Sequence, residues 1–161
     1  MKRLGLIISI ISICFIGCEK TADYTEIPFI KYKNFVFDVE VIDDSYINQV
    51  GFLTFEFIDG NGDIGFSENS DTILGLEIPD IFIYEYSKQN GNFVAIDTIN
   101  FLLPYFAEGV YRKHIKGDMQ VKIYFIEQVN DTVKYEFQIM DREYHLSNLE
   151  TTPELIVPEW N

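Results

Sequence analysis

GFLTFEFIDGNGDIGF, running from Gly51 to Phe66, decides the fold of this chain. Leu53, Phe55 and Phe57 alternate with Thr54, Glu56 and Ile58, the period-two pattern of a strand with one face in a core and the other toward water. The strand runs directly into Asp59, Asn61 and Asp63, the densest set of oxygen ligands in the sequence. Oxygen donors at alternate positions are how a tight turn aims side chains at one hard cation such as calcium. The spacing matches the first half of an EF-hand loop and fails the second, because Ile64 stands where that loop needs glycine and Ser70 where it needs the closing glutamate. Glu68 and Asp71 are further carboxylates within reach along the chain. The competing reading is turn chemistry alone, with Gly60, Gly62 and Gly65 at positive φ and the carboxylates bonded to nearby amides.

The segments on either side read as more strands. Upstream, Phe35, Phe37, Val39 and Val41 share one face of a long or broken strand over 29–42, with Asp38 and Glu40 on the other, and Asp43, Asp44 and Ser45 close it. The strand of the opening stretch then begins near Val50. Downstream, Phe66 to Pro79 is loop or short extended chain, and Ile81 to Tyr86 is a β-branched and aromatic strand. Asn90-Gly91 supplies a hairpin turn at positive φ, returning into Phe93 to Ile99. Phe101 to Gly117 is irregular, broken by Pro104, Gly109 and Gly117; it suits a crossover between sheets, with room for a short helix or turn over 106–114. Met119, Val121, Ile123 and Phe125 form one alternating run and Val133, Tyr135, Phe137 and Ile139 a second, with Asn130-Asp131 between, so the two are expected to pair as a hairpin. Asp141 to Asn148 is a polar loop, and Pro153 to Val157 a final strand.

No segment sustains a helical period. The expected class is all-β: a two-sheet antiparallel sandwich of the immunoglobulin or fibronectin type III kind, with a closed barrel as the alternative. In such a sandwich the loop after the second strand and the loop between the last two strands emerge at the same end. Asp141, and with it Glu143, would then approach Asp59 and Asp63. Either a calcium ion or Arg142 folding over the group would relieve the repulsion among them.

The first residues have a different character. Lys2 and Arg3 precede an apolar run over 4–16 too short to span a bilayer comfortably, ending in Phe15-Ile16-Gly17-Cys18. A small residue directly before a cysteine resembles a bacterial lipobox, although Phe15 departs from the usual leucine. The organisation expected is a lipoprotein signal peptide over 1–17, lipidation of Cys18, a polar tether over 18–27, and one β-sandwich domain over 28–161. An ordinary signal with an incidental cysteine is the competing account. Cys14 would leave with the signal, so the exported chain has no disulfide and its stability comes from a core built on many Phe and Tyr. The net charge of −14 includes Lys2 and Arg3 and becomes about −16 without them, which argues against nucleic acid and against electrostatic binding to anionic lipid.

The Gly17-Cys18 site, Phe55-Glu56-Phe57 with Asp59-Gly60-Asn61-Gly62-Asp63-Ile64-Gly65, and the late Asp141-Arg142, Ser147-Asn148 and Thr151-Thr152-Pro153-Glu154 together resemble a group of Bacteroidetes lipoproteins with an FxFxDGDGDIG-like motif and a small β-sandwich. The resemblance covers most of the exported chain. It implies fold and an outer-membrane location, with either a periplasmic or a surface face, and carries no assigned chemistry. Asn61 stands where that group more often has Asp.

Other chemistry is thinner. His114 and His145 lie far apart without cysteine partners, and no G-x-S-x-G elbow or defined nucleophile and base occur. Arg112, Lys113, His114 and Lys116 form one basic patch that reads as a solvated loop. The tyrosines, Tyr84 and Tyr86 among them, suit cross-strand packing first and a sugar-stacking platform second. Trp160 would fold back on the sandwich or serve as an exposed tag. The expected function is a non-enzymatic, lipid-anchored envelope module with a calcium ion at Asp59, Asn61, Asp63 and Asp141, having an envelope protein or glycan as partner. The alternative is a glycan- or nutrient-binding subunit of an outer-membrane uptake complex.

Overall fold

A computed structural model describes residues 24–43, 46–65, 72–73, 76–103, 114–125 and 131–159. The lipobox with Cys18, Glu68 and Asp71, most of the irregular stretch with its expected helix or turn and most of its basic patch, and Trp160 all lie outside these residues. Ten strands follow one another, with no helix among the described residues: β1 (Phe29–Asp43), β2 (Tyr46–Asp59), β3 (Thr72–Ile73), β4 (Leu76–Glu77), β5 (Ile81–Gln89), β6 (Asn92–Phe101), β7 (Ile115–Phe125), β8 (Thr132–Ile139), β9 (Glu150–Thr151) and β10 (Leu155–Ile156).

They form two antiparallel sheets that stay open, so the chain is a sandwich and not a barrel. One sheet has the order β1-β2-β7; the other runs β10-β8-β5-β6, with β9 also on β8, and β3 and β4 make a small separate hairpin. Three strands face five. Alternation explains which side chains meet between the layers. Leu53, Phe55 and Phe57 from β2 and Met119, Val121 and Ile123 from β7 face Ile81 and Ile83 from β5 and Val133, Tyr135, Phe137 and Ile139 from β8, all buried in one cluster. Each such side chain contributes about 2 kcal/mol by leaving water.

The strand β1 is long because a bulge lets it keep its apolar face inward. Its register against β2 shifts between Tyr32 and Asn34, so inward positions change from even numbers, Ile30 and Tyr32, to odd ones, Phe35 and Phe37. The β5–β6 hairpin turns at Asn90 (φ 51°) and Gly91 (φ 83°), with Gln89 opposite Asn92, as the dipeptide predicts.

The expected hairpin between 119–125 and 133–139 does not form. β7 pairs with β2 and β8 pairs with β5, so the two runs lie in opposite sheets. Alternation reports that each has one buried face; it says nothing about which neighbour supplies the hydrogen bonds. Both strands bury that face in the same core, one from above and one from below. The final strand is also shorter than expected. Of 153–157 only β10 is strand, after Pro153, which has no amide to donate, and β9 lies before that proline, outside the expected stretch.

Side chains complete the ladders where the backbone leaves them. Thr152 Oγ1 accepts the Tyr135 amide at 3.0 Å, and Ser147 Oγ accepts the Ile139 amide at 3.0 Å. Asn148 uses its amide as a strand would: Oδ1 accepts the Ile30 N–H and Nδ2 donates to the Ile30 carbonyl, both at 2.9 Å. Glu150 accepts the Tyr32 N–H at 2.9 Å. These contacts sew the edge of β1 to the chain leading into β9 and join the two layers along one side.

Candidate metal centre

Inward alternation continues past the end of two core strands and places a carboxylate at each. After Leu53, Phe55 and Phe57, the next inward residue of β2 is Asp59; after Tyr135, Phe137 and Ile139, the next beyond β8 is Asp141. Both are fully buried. Because β2 and β8 belong to different sheets, the two acids meet at one end of the sandwich. The loop after β2 brings in a third. Ile64, buried without exposure, pins that loop by a β-bridge to Asp141, and the Arg142 amide donates to the Asp63 carbonyl at 3.2 Å. One ligand oxygen from each of Asp59, Asp63 and Asp141 lies within 4.8 Å of the others.

The turn itself explains the glycines. Gly62 and Gly65 have φ of 74° and 85°, which an L side chain rarely adopts. Gly60, expected at positive φ, is not there. A Cβ on it would lie 2.3 Å from the Thr25 carbonyl oxygen, and its N–H donates to that same oxygen at 3.0 Å, so its role is close approach of two backbones. Tyr24 and Thr25, read from sequence as tether, therefore already touch the domain.

Of the four predicted ligands, Asp59, Asp63 and Asp141 converge, while Asn61 is exposed in the turn between the first two. Glu143 stays largely in solvent, with its carboxylate 3.9 Å from His145 Nδ1. The turn reading and the cation reading each claim one oxygen of Asp59. Oδ2 accepts the Asp63 amide at 2.8 Å, whereas Oδ1 is buried with no hydrogen-bond partner, as is Asp63 Oδ1. A buried polar atom left without a partner costs on the order of 1–3 kcal/mol, more if charged. Arg142 holds the loop backbone, with Nε donating to the Gly65 carbonyl at 2.7 Å and Nη2 to the Ile64 carbonyl at 3.4 Å.

In the sequence His145 stands far from His114 and has no cysteine partner. It is partly exposed, but its amide donates to Asp141 Oδ1 at 2.8 Å and its Nδ1 lies 3.0 Å from Asp141 Oδ2. Tyr144, at φ 66°, makes the tight turn that allows this. Asp80 was also missed. It is buried at the start of β5, where Oδ2 accepts the Leu103 amide at 2.7 Å and its carbonyl accepts the Met140 amide at 2.7 Å. Its signal was its place between Pro79 and an apolar strand.

Electrostatics follow from this crowding. Burial, then the charges of Asp63 and Asp141, push the Asp59 carboxyl up to about 6. Burial and the charges of Asp141 and Glu143 raise Asp63 as well, and Arg142 offsets this only partly. Asp141 holds a proton on His145 and raises it. The donors are all oxygens, as a hard cation requires, and calcium with ligands at about 2.4 Å on opposite sides spans about 4.8 Å. The residues fit such an ion.

The tyrosines of the β8–β5–β6 sheet serve their neighbours. Tyr86 donates to Glu136 at 3.0 Å with Lys134 over its ring, and Gln138 donates to the Tyr84 hydroxyl at 3.1 Å. His114 rests on Tyr24, with ring centroids 4.9 Å apart.

What this geometry defines is a small antiparallel sandwich with a buried carboxylate cluster at one end. Compared with protein-family models, with curated proteins and with solved structures, the chain matches none of them.

Proposed function

We propose that the chain is a non-enzymatic, lipid-anchored cell-envelope protein whose sandwich holds one calcium ion between the loop after β2 and the loop after β8. The observation that carries the calcium part is the pair of buried oxygens, Asp59 Oδ1 and Asp63 Oδ1, left without partners beside the Asp141 carboxylate. Calcium would offset most of the charge of three carboxylates and tie the two sheets together at that end. Anchoring is supported by the sequence: Lys2 and Arg3, the short apolar run, and Gly17-Cys18. The resemblance to Bacteroidetes lipoproteins supports an outer-membrane location, and a role as a binding or structural module completes the reading. Thermal melting of the purified protein, with chelator and then with millimolar calcium, tests the calcium part. A rise in midpoint that disappears in Asp63→Asn is expected, and an unchanged midpoint removes the metal from the account.

A further inference from the structure

We propose that the cation-site end of the sandwich rests on the bilayer, with Ile27, Phe29, Leu146 and Leu149 meeting the lipid interface; the inference rests on the lipid anchor read for Cys18. The anchor and the site end are joined by a short length of chain. Thr25 is fixed to Gly60 at that end by the 3.0 Å hydrogen bond, and Tyr24 leans on His114. Cys18 precedes Tyr24 by six positions, so the lipid attaches no more than about 20 Å away. β1, by contrast, carries the chain about 50 Å toward the opposite end at roughly 3.3 Å per residue.

The surface at the site end suits this position. Ile27 and Phe29 come from the entering chain, and Leu146 and Leu149 from the loop after β8; each is about half exposed. The two segments are bonded to one another through Asn148 and Ile30, which brings the chain at Phe29 and the chain at Leu149 together at this end. A single exposed apolar residue is ordinary, whereas several gathered where a lipid enters mark a contact surface. Apolar side chains at the interface add to what acyl chains supply, and firm anchoring generally draws on more than one such signal. Glu26 and Glu143 are exposed at the same end, so the fit is to a zwitterionic surface more than to an anionic one.

The test uses the full chain, purified from membranes and reconstituted in phosphatidylcholine vesicles containing brominated lipid. Leu146→Trp and, at the far end, Val41→Trp are each made with Trp160→Phe so that one indole reports. Blue-shifted emission, quenched several-fold more in the Leu146→Trp protein than in the Val41→Trp protein, is expected. Equal quenching, or none at position 146, overturns the orientation. Mass spectrometry of the same preparation separates the two ideas. An unmodified Cys18 contradicts the anchor, and an acylated Cys18 with an unquenched indole at 146 contradicts the orientation alone. Amide hydrogen exchange over 143–149, compared between vesicles and the Cys18→Ser protein, reads the same contact without the tryptophans; protection in vesicles supports it and unchanged exchange opposes it.

Discussion

Asp59 carries the chemistry of this molecule at the scale of one residue. Its carboxyl, near 3.8 in an unfolded chain, is raised to about 6 in the fold, so between these values the native state binds the extra proton. Without a cation, stability therefore falls as pH rises through this window, by about 3 kcal/mol in all. His145 acts in the same direction: its raised value gives stability that is present in acid and lost as pH passes through it. Urea denaturation in chelator at about pH 5 and about pH 7.5 should show the wild type weakening and Asp59→Asn weakening less, because Asp63 and His145 still lose their protons in the variant. The variant should be the more stable protein at the higher pH and should gain nothing from calcium. Gly60→Ala is the steric counterpart. Its methyl would meet the Tyr24 and Thr25 carbonyls at 2.5 and 2.3 Å, and a loss of about 1–3 kcal/mol is expected in the same denaturation measurement. Asp59 and Asp63 were legible from spacing as a candidate ligand set. That Asp59 and Asp141 are buried follows from continuing the inward alternation of β2 and β8 by one step, a signal present in the residues at 53–59 and 135–141. His145 was harder, because its partner is set by a turn at Tyr144 that no residue type announces.

At the scale of elements, polar side chains in the late motif finish what the strands begin. Thr152→Val keeps the shape and removes the oxygen that takes the Tyr135 amide, leaving a buried donor unpaired; a loss of about 1–3 kcal/mol by thermal or urea melting is expected. Ser147 and Asn148 serve β8 and β1 similarly, so the late motif reads structurally except at Asp141. Gly91→Ala forces a side chain onto φ 83° with open space around it, isolating backbone strain, and should cost about 1–2 kcal/mol. Asn90-Gly91 was readable because a two-residue hairpin turn has a local code. Pairing between β7 and β8 was misread for the opposite reason. Strand partners are chosen by topology across tens of residues, and two neighbouring alternating runs look alike whether they share a sheet or face each other. The bulge in β1 was legible in principle, since Ile30 and Tyr32 change parity to Phe35 and Phe37.

At the scale of the whole molecule, two layers meet in a continuous apolar core and end in a carboxylate cluster, with Tyr24 and Thr25 held against the same end. The fold class followed from alternation and turn residues alone, because burial on one face is a property each strand declares for itself. The approach of Asp141 to Asp59 was readable only through the expected sandwich, since it holds only when β2 and β8 occupy opposing sheets. If one ion closes that end, its loss should loosen the loops after β2 and β8 before the core, and amide exchange in chelator should rise first over 60–65 and 141–149. Whether this cluster is a calcium site is tested most directly by isothermal titration of calcium into the chelator-stripped protein at neutral pH. One ion per chain, with protons released on binding and no binding in Asp63→Asn, is the predicted result. No uptake at millimolar calcium, or uptake unchanged in that variant, would contradict it.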